Sequence, residues 1–95
     1  MIIWSTQAKL QLQDIYDYVN SKSPQNAEMV IIELTDLGEN LEIMPYKNPK
    51  ESTFNNENIR FVPKWNYKTV YRIDPIDIII LSVFDTSQGF INIKD

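Results

Sequence analysis

The sequence predicts an α+β fold in which an antiparallel helix hairpin packs on a mostly antiparallel sheet, in the element order β-α-α-β-β-β. Three observations support this prediction. Apolar residues recur at helical spacing through two adjoining segments in the first half of the chain. In the second half the pattern changes to alternation and then to an almost continuous apolar run. The length of 95 residues suits one domain, spanning residues 1–95.

A short strand and a helix open the chain. Residues 2–4 (Ile-Ile-Trp) are apolar and predict the strand. Ser5 and Thr6 follow as N-cap candidates, because a side-chain oxygen there can accept a hydrogen bond from the first helical turn. From Ala8 the apolar residues recur at helical spacing, which predicts a helix that ends near Asn20.

A second helix follows almost at once. Ser23 is suited to cap it, and Pro24 is suited to its first position, where a missing N–H costs nothing. The apolar spacing continues to Met44, and Pro45 is expected to end the helix. Gly38 lowers the helix propensity by about 1 kcal/mol, so we expect its backbone to pack closely against a neighbour. The short link between the helices predicts a hairpin.

The remaining chain predicts a loop and then a β-hairpin. Residues 45–57 hold two prolines and few apolar side chains, which is typical of irregular structure. Residues 59–63 and 67–73 alternate between apolar and polar side chains and predict two strands. Residues 64–66 are short enough to join them as a hairpin.

The last predicted elements are a turn and one or two strands. Residues 74–77 (Asp-Pro-Ile-Asp) carry a strong turn signal. The strand over residues 76–84 is nearly continuously apolar, which suits a central strand covered on both faces. Residues 90–93 are interpreted as a short final strand.

Composition excludes several classes of function. The chain has no Cys and no His, which removes disulfides, thiolate or imidazole metal sites, Cys nucleophiles and Ser-His triads. No cofactor and no metal are therefore expected. No segment reaches the ~18 apolar residues of a membrane span, and the first residues lack the features of a signal peptide, so we expect a cytoplasmic protein without membrane contact.

The charge is unevenly distributed along the chain. The net charge is −4, yet residues 47–72 hold six basic and two acidic residues, or +4. A net-acidic chain is a poor non-specific ligand for nucleic acids, because phosphate neutralisation carries most of that affinity. A local basic stretch is still suited to an acidic partner.

Several motifs follow one another through most of the chain. They are Ala8-x-x-x-Leu12-x-x-Ile15-Tyr16-x-Tyr18, Ser23-Pro24-x-x-Ala27, Ile59-Arg60-Phe61-Val62-Pro63, Tyr67-Lys68-Thr69-Val70-Tyr71-Arg72-Ile73 and the terminal Asp85-Thr86-Ser87-Gln88. In order and spacing they resemble the RelE/ParE superfamily of bacterial toxins. In that superfamily one strand carries an arginine, the next reads Y-x-x-x-Y-R-[VI], and H-T-R-Q is a frequent ending.

The resemblance implies the toxin of a type II toxin–antitoxin module, which inhibits growth or stabilises a plasmid and is neutralised by a cognate antitoxin. Members that cleave mRNA on the ribosome are strongly basic, whereas this chain has a pI of about 4.7. Asp85 and Ser87 also replace the His and Arg of the frequent ending. The ParE-like branch, associated with DNA gyrase, is therefore favoured. Two alternatives stay open: a RelE-like ribosome-dependent mRNA endonuclease and an inactive antitoxin-binding module.

The candidate functional residues lie mainly on the predicted hairpin. If Pro63 faces Tyr67, strand alternation places Arg60 on the same face as Lys68 and Arg72. The candidate basic patch consists of Arg60, Lys64, Lys68 and Arg72. An arginine fork binds phosphate or carboxylate with two hydrogen bonds, which suits either RNA or an acidic partner.

The candidate partner contacts are Trp65, Tyr67, Tyr71, Thr86 and Gln88. Trp65 is proposed because a large ring in a hairpin turn either folds back onto the domain or anchors a partner. Tyr71 alternates with apolar residues, which favours core packing. Glu51 and Glu57 are the acids available as a general base in the nuclease alternative, but their loop position favours solvated side chains.

Overall fold

A computed structural model of the chain describes residues 1–88 and 92–95. The helices and strands are β1 (Ile2–Trp4), α1 (Thr6–Lys22), α2 (Pro24–Glu39), β2 (Ile59–Lys64), β3 (Tyr67–Ile73) and β4 (Ile78–Asp85). Short 3-10 turns cover Pro45–Lys47 and Thr86–Gln88. Phe90 and Ile91 of the predicted final strand lie outside the described residues, and residues 92–95 carry no regular secondary structure.

The four strands form one sheet in the order β1-β4-β3-β2. β1 runs parallel to β4, and the other two pairings are antiparallel. The predicted α+β class and the element order β-α-α-β-β-β are confirmed. The apolar β4 lies inside the sheet, as its continuous pattern predicts. Among the helices of residues 1–88 and 92–95, none is long and apolar enough to cross a membrane.

Both faces of the sheet are covered. The helix face packs against α1 and α2, and its core consists of Ala8, Ile15, Leu34, Leu41, Tyr71, Ile78, Ile80 and Val83. The outer face has a smaller core of Ile59, Val70 and Leu81, with Phe54, Phe61, Ile79, Phe84 and Ile93 packed against it. Phe54 belongs to the loop between α2 and β2, and Ile93 belongs to the C-terminal segment. The loop and the C-terminal segment therefore cover the outer face of the sheet, which the helices do not contact.

The helix boundaries follow local hydrogen bonding. Ser5 caps α1, and its Oγ accepts a hydrogen bond from the Ala8 backbone N–H at 3.0 Å. α2 ends at Glu39, five residues before the predicted end at Met44. There the Leu41 N–H donates to the Gly38 carbonyl oxygen at 3.2 Å and leaves the α-helical pattern, and the Asn40 side-chain amide donates to the Asp36 carbonyl oxygen at 2.8 Å.

The predicted register of the β-hairpin is wrong by one residue. Pro63 pairs with Lys68, and Lys64 pairs with Tyr67. The connection therefore has two residues instead of three, because Trp65 adopts a left-handed backbone with a φ of 53°. A two-residue hairpin turn requires a positive φ at its first position, where glycine is usual and tryptophan is unexpected.

Gly38 allows the closest contact between α2 and the sheet. A Cβ atom at this position would lie 2.5 Å from two ring atoms of Trp4 and 2.7 Å from the terminal carbon of Ile80. Both neighbours belong to the helix-face core, so neither can move freely. The expectation of close packing at this glycine is confirmed.

Replacing Gly38 by Ala is expected to lower the free energy of unfolding by about 1–3 kcal/mol, because overpacking outweighs the gain in helix propensity. Urea denaturation followed by circular dichroism measures the change. Glu39→Ala, an exposed change at the end of the same helix, is the control and should stay within about 0.5 kcal/mol of the parent. A G38A variant as stable as the parent would contradict this packing.

Candidate functional site

Arg60 lies on the helix face and holds the loop that follows α2. Its Nε donates to the Glu57 carbonyl oxygen at 2.9 Å, and its Nη1 donates to the Asn48 carbonyl oxygen at 3.0 Å. The guanidinium also lies 5.1 Å from the centre of the Tyr46 ring. Its carboxylate partner is Glu57 at 3.6 Å, in the loop rather than on a helix. The Arg60 guanidinium therefore donates its hydrogen bonds to the loop of the same chain.

Tyr71 pairs with Arg60 across the strands and is fully buried. Its hydroxyl donates to the Pro45 carbonyl oxygen at 2.6 Å and accepts a hydrogen bond from the Asn48 side chain at 3.0 Å. Burial raises the pKa of Tyr71, against the opposing effects of the Asn48 hydrogen bond and the Arg60 charge. The core position favoured by its sequence pattern is what the structure shows, and a partner cannot reach this side chain in this conformation.

Lys68 lies on the outer face in a buried ion pair with Glu51. Its Nζ contacts Glu51 Oε1 without the angles of a hydrogen bond, and it lies 4.2 Å from the centre of the Phe61 ring. The other carboxylate oxygen accepts hydrogen bonds from the Thr53 N–H at 3.0 Å and the Thr53 hydroxyl at 2.6 Å. Glu51 is only 2% exposed, so the expectation of a solvated loop acid is wrong.

Arg72 also lies on the outer face and holds the C-terminal residue. It donates to both Asp74 carboxylate oxygens, at 2.8 and 3.1 Å, and to Asp95 Oδ1 at 2.6 Å. These hydrogen bonds raise the pKa of Arg72, and they lower the pKa of Asp74. Gln7 holds the same segment, because its side-chain amide bonds to the backbone of Asn92 at 2.8 Å and of Lys94 at 3.1 Å.

The predicted basic patch does not form. Arg60 and Lys64 lie on the helix face, whereas Lys68 and Arg72 lie on the outer face, because the register differs by one residue from the predicted one. Lys64 pairs with Glu33 of α2 at 3.6 Å. Within the basic stretch, the residues with a carboxylate no more than 3.6 Å away are Lys50, Arg60, Lys64, Lys68 and Arg72. These charges join parts of the domain to one another.

Four of the five candidate partner contacts lie at one end of the sheet. Trp65 is half-exposed in the hairpin turn, and Lys64 Nζ lies 4.8 Å from the centre of its ring. Thr86 holds this turn, since its N–H and hydroxyl donate to the Asn66 carbonyl oxygen at 2.8 and 3.0 Å. Tyr67 and Gln88 line a cleft beside the turn.

A cleft lies at that end of the domain. It is a cavity of about 410 Å³ between α1 and the ends of β3 and β4. Its lining consists of Gln11, Asp14, Ile15, Tyr18, Tyr67, Val83, Phe84, Asp85, Ser87 and Gln88. None of these lining residues is basic. The cleft combines an apolar floor with carboxylates, amides and phenol groups.

The charge of the cleft lining is negative. Asp85 Oδ1 accepts hydrogen bonds from the Ser87 N–H and hydroxyl, at 2.9 and 2.7 Å, but this carboxylate has no salt bridge among the described residues. Burial raises the pKa of Tyr67, and the charge of Asp85 adds to the rise. Phosphoryl transfer needs cations where negative charge develops, so this cleft is poorly suited to it.

Sequence reasoning missed the α1 side of this cleft. Gln11, Asp14 and Tyr18 are separated by three and four residues, so they share one face of α1. Gln11 also fixes the helix on the sheet, because its Oε1 accepts hydrogen bonds from the Ser82 hydroxyl at 3.0 Å and the Val83 N–H at 2.9 Å. The spacing of these three polar residues along α1 was the sequence signal that could have indicated the cleft. Within the described residues, no group of three or more acidic side chains is placed to hold a metal ion.

The fold and the family can now be assigned. The fold matches a chain of the "Chromosomal ParDE TA system from P. aeruginosa" with a TM-score of 0.73 at 17% identity, covering 88% of this chain and 92% of that chain. No curated protein matches the sequence significantly. The family model "ParE toxin of type II toxin-antitoxin system, parDE" matches residues 2–90. This chain belongs to that family of toxins, and membership implies an antitoxin partner.

Glu51→Gln is expected to lower the free energy of unfolding by about 1–3 kcal/mol, because it leaves the Lys68 ammonium partly buried without its counter-charge. Urea denaturation at pH 7 measures the loss. Glu57→Gln removes an exposed carboxylate from the same loop and should cost less than about 1 kcal/mol. Equal effects of the two changes would contradict a buried role for Glu51.

The same carboxylate predicts an acid dependence of stability. Burial alone would raise the pKa of Glu51, but the close contact with the Lys68 ammonium, the hydrogen bonds from Thr53 and the Lys68 charge outweigh it and lower the pKa below the ordinary 4.5. Its contribution is therefore present above pH 4.5 and is lost as the pH falls through the folded-state pKa. The E51Q variant should lose less stability than the parent between pH 5 and pH 3 in urea denaturation. Equal losses in the two proteins would contradict this role of Glu51.

Tyr71→Phe is expected to lower stability by about 1–2 kcal/mol at pH 7, since Asn48 and Pro45 lose a buried partner. Because the folded-state pKa of Tyr71 lies above its ordinary value of 10.0, the parent should lose stability as the pH rises through that folded-state pKa. The variant should lose less over the same range. Identical alkaline slopes in urea denaturation would show that this hydroxyl is not held as described.

Proposed function

We propose that this toxin arrests growth by acting on DNA gyrase in the cytoplasm, without nucleolytic chemistry, and that a cognate antitoxin neutralises it. The observation that supports this proposal is the cleft at the end of β4. Asp85 and Ser87 stand there in place of a histidine and an arginine, and none of the lining residues is basic. A site of this charge has no group to stabilise a transferring phosphate.

The positively charged side chains of β2 and β3 also support this proposal, because they are already bound within the domain. Arg60, Lys68 and Arg72 would each have to leave a partner within the domain before contacting RNA. Breaking a buried pair such as Lys68–Glu51 leaves an uncompensated charge, which is costly. The ribosome-dependent mRNA endonuclease is therefore the less supported alternative. An inactive antitoxin-binding module is the second alternative, and growth assays distinguish it.

We also propose that Trp65 contacts the target. Its backbone φ of 53° is unfavourable for a residue with a side chain, and such strain is concentrated at functional sites. The ring is half-exposed at the turn, and tryptophan is the residue type most often found as an interface anchor. Thr86 and Lys64 hold the turn in place, so the ring is presented on a fixed support.

The target is tested by inducing the chain alone in bacteria. We expect growth arrest with DNA-damage signalling and intact messenger RNA by primer extension, together with inhibition of purified gyrase in a supercoiling assay. Co-expression of the adjacent small reading frame should restore growth. Cleavage of messages within codons would instead select the endonuclease. Full viability together with tight antitoxin binding would select the inactive module.

Trp65→Ala should weaken gyrase inhibition about tenfold or more, since losing an anchor of this kind costs at least about 1.4–2 kcal/mol of binding. The matched control is Ile76→Ala, which removes another exposed apolar side chain from a strand connection at the opposite end of the sheet. Circular dichroism verifies the fold of both variants. Equal inhibition by the two variants would contradict a contact through Trp65.

A further inference from the structure

The cleft between α1 and the ends of β3 and β4 carries unneutralised negative charge. Neither Asp14 nor Asp85 forms a salt bridge among the described residues. The paired cations of the basic stretch are committed elsewhere, and none of them lines the cleft. Two carboxylates on opposite walls of a cavity with an apolar floor attract a cation more strongly than the same charges on an open surface.

The aromatic rings of the cleft are a second reason, beside its carboxylates, to expect that it binds a cation. Tyr18 and Tyr67 both line the cleft. The Lys22 Nζ lies 5.7 Å from the centre of the Tyr18 ring, so one face of this ring already accepts a cation of the chain itself. A positive group over the face of an aromatic ring is attracted by the ring quadrupole.

We propose that this cleft binds an arginine side chain of a partner protein. The planar guanidinium donates to carboxylates in a fixed fork and stacks on aromatic faces, whereas an ammonium acts as a point charge. The Gln88 amide adds a neutral acceptor at the rim. A volume of about 410 Å³ is within the usual range for a ligand pocket.

Asp85 is the principal carboxylate in this assignment. Ser87 holds its Oδ1 through two hydrogen bonds, so the carboxylate is oriented before the ligand arrives. Asp14 lies on the α1 wall, and Gln11 fixes that wall against the sheet through Ser82 and Val83. The two acids are therefore supported by different elements. The proposal does not depend on gyrase being the target.

The experiment is a titration of the isotopically labelled protein followed by NMR amide shifts. The probes are N-acetyl-Gly-Arg-Gly-amide and two matched peptides that carry citrulline or lysine at the central position. We expect saturable shifts at the cleft with the arginine peptide. Binding should be at least tenfold weaker for citrulline, which is neutral and nearly isosteric, and at least threefold weaker for lysine. Binding of the citrulline peptide or the lysine peptide as tight as that of the arginine peptide would overturn the assignment of arginine.

Variants separate this site from general charge attraction. Asp85→Asn and Asp14→Asn should each weaken binding of the arginine peptide about threefold to tenfold, and the amide oxygen in D85N can still accept the Ser87 hydrogen bonds. Asp36→Asn removes the same charge from the exposed side of α2 and should leave the affinity unchanged. Equal weakening by D36N and D85N would overturn the proposal. This titration involves neither growth nor gyrase, so its failure is distinct from failure of the proposed function.

The partner is assigned by measuring the D85N protein in two assays. Weaker binding of the cognate antitoxin, from the adjacent reading frame, would place the arginine on the antitoxin. Weaker gyrase inhibition with unchanged antitoxin binding would place it on gyrase. Either result supports a protein arginine as the occupant, provided D36N behaves like the parent. No change in either assay would overturn it.

Discussion

The register of the β2–β3 hairpin is the constraint on which the rest of the structure depends. The two-residue turn at Trp65 and Asn66 pairs Lys64 with Tyr67, and this pairing determines the face of every later side chain on both strands. Arg60 and Tyr71 consequently meet on the helix face, where they bind the loop after α2. A slip of one residue would place Arg60 beside Lys68 and Arg72 on one face and would create the cationic patch that the chain lacks.

The cations of this hairpin hold together a domain with little apolar interior. A chain of 95 residues buries only about 60–65% of its unfolded surface, so its loops need additional anchors. Lys68 binds the loop acid Glu51, and Arg72 binds the C-terminal Asp95. Because these groups are used within the fold, the end of the sheet near Asp85 is left acidic. The internal ion pairs and the acidic cleft thus follow from the same distribution of charge.

Periodicity was sufficient to predict the class, the element order and the bounds of β3 from the sequence, since each depends on local pattern. The end of α2 was not predicted, because the apolar spacing continues past Glu39 whereas the backbone hydrogen bonds leave the α-helical pattern at Leu41. The register was missed because it depends on a left-handed tryptophan. The cleft was found only in part: Tyr67 and Gln88 were candidates, but Asp14 joins them only through the packing of α1 on β4.

The most direct test of this account is the hairpin register in solution, measured by NMR. In antiparallel sheets the closest backbone Hα atoms belong to facing residues that do not exchange hydrogen bonds. Phe61 donates its N–H to Pro49, away from β3, so Phe61 and Val70 form such a pair. The account predicts a strong Hα–Hα Overhauser effect between Phe61 and Val70. A strong effect between Phe61 and Thr69 in its place would contradict the account, because it would return Arg60 to the face of Lys68 and Arg72.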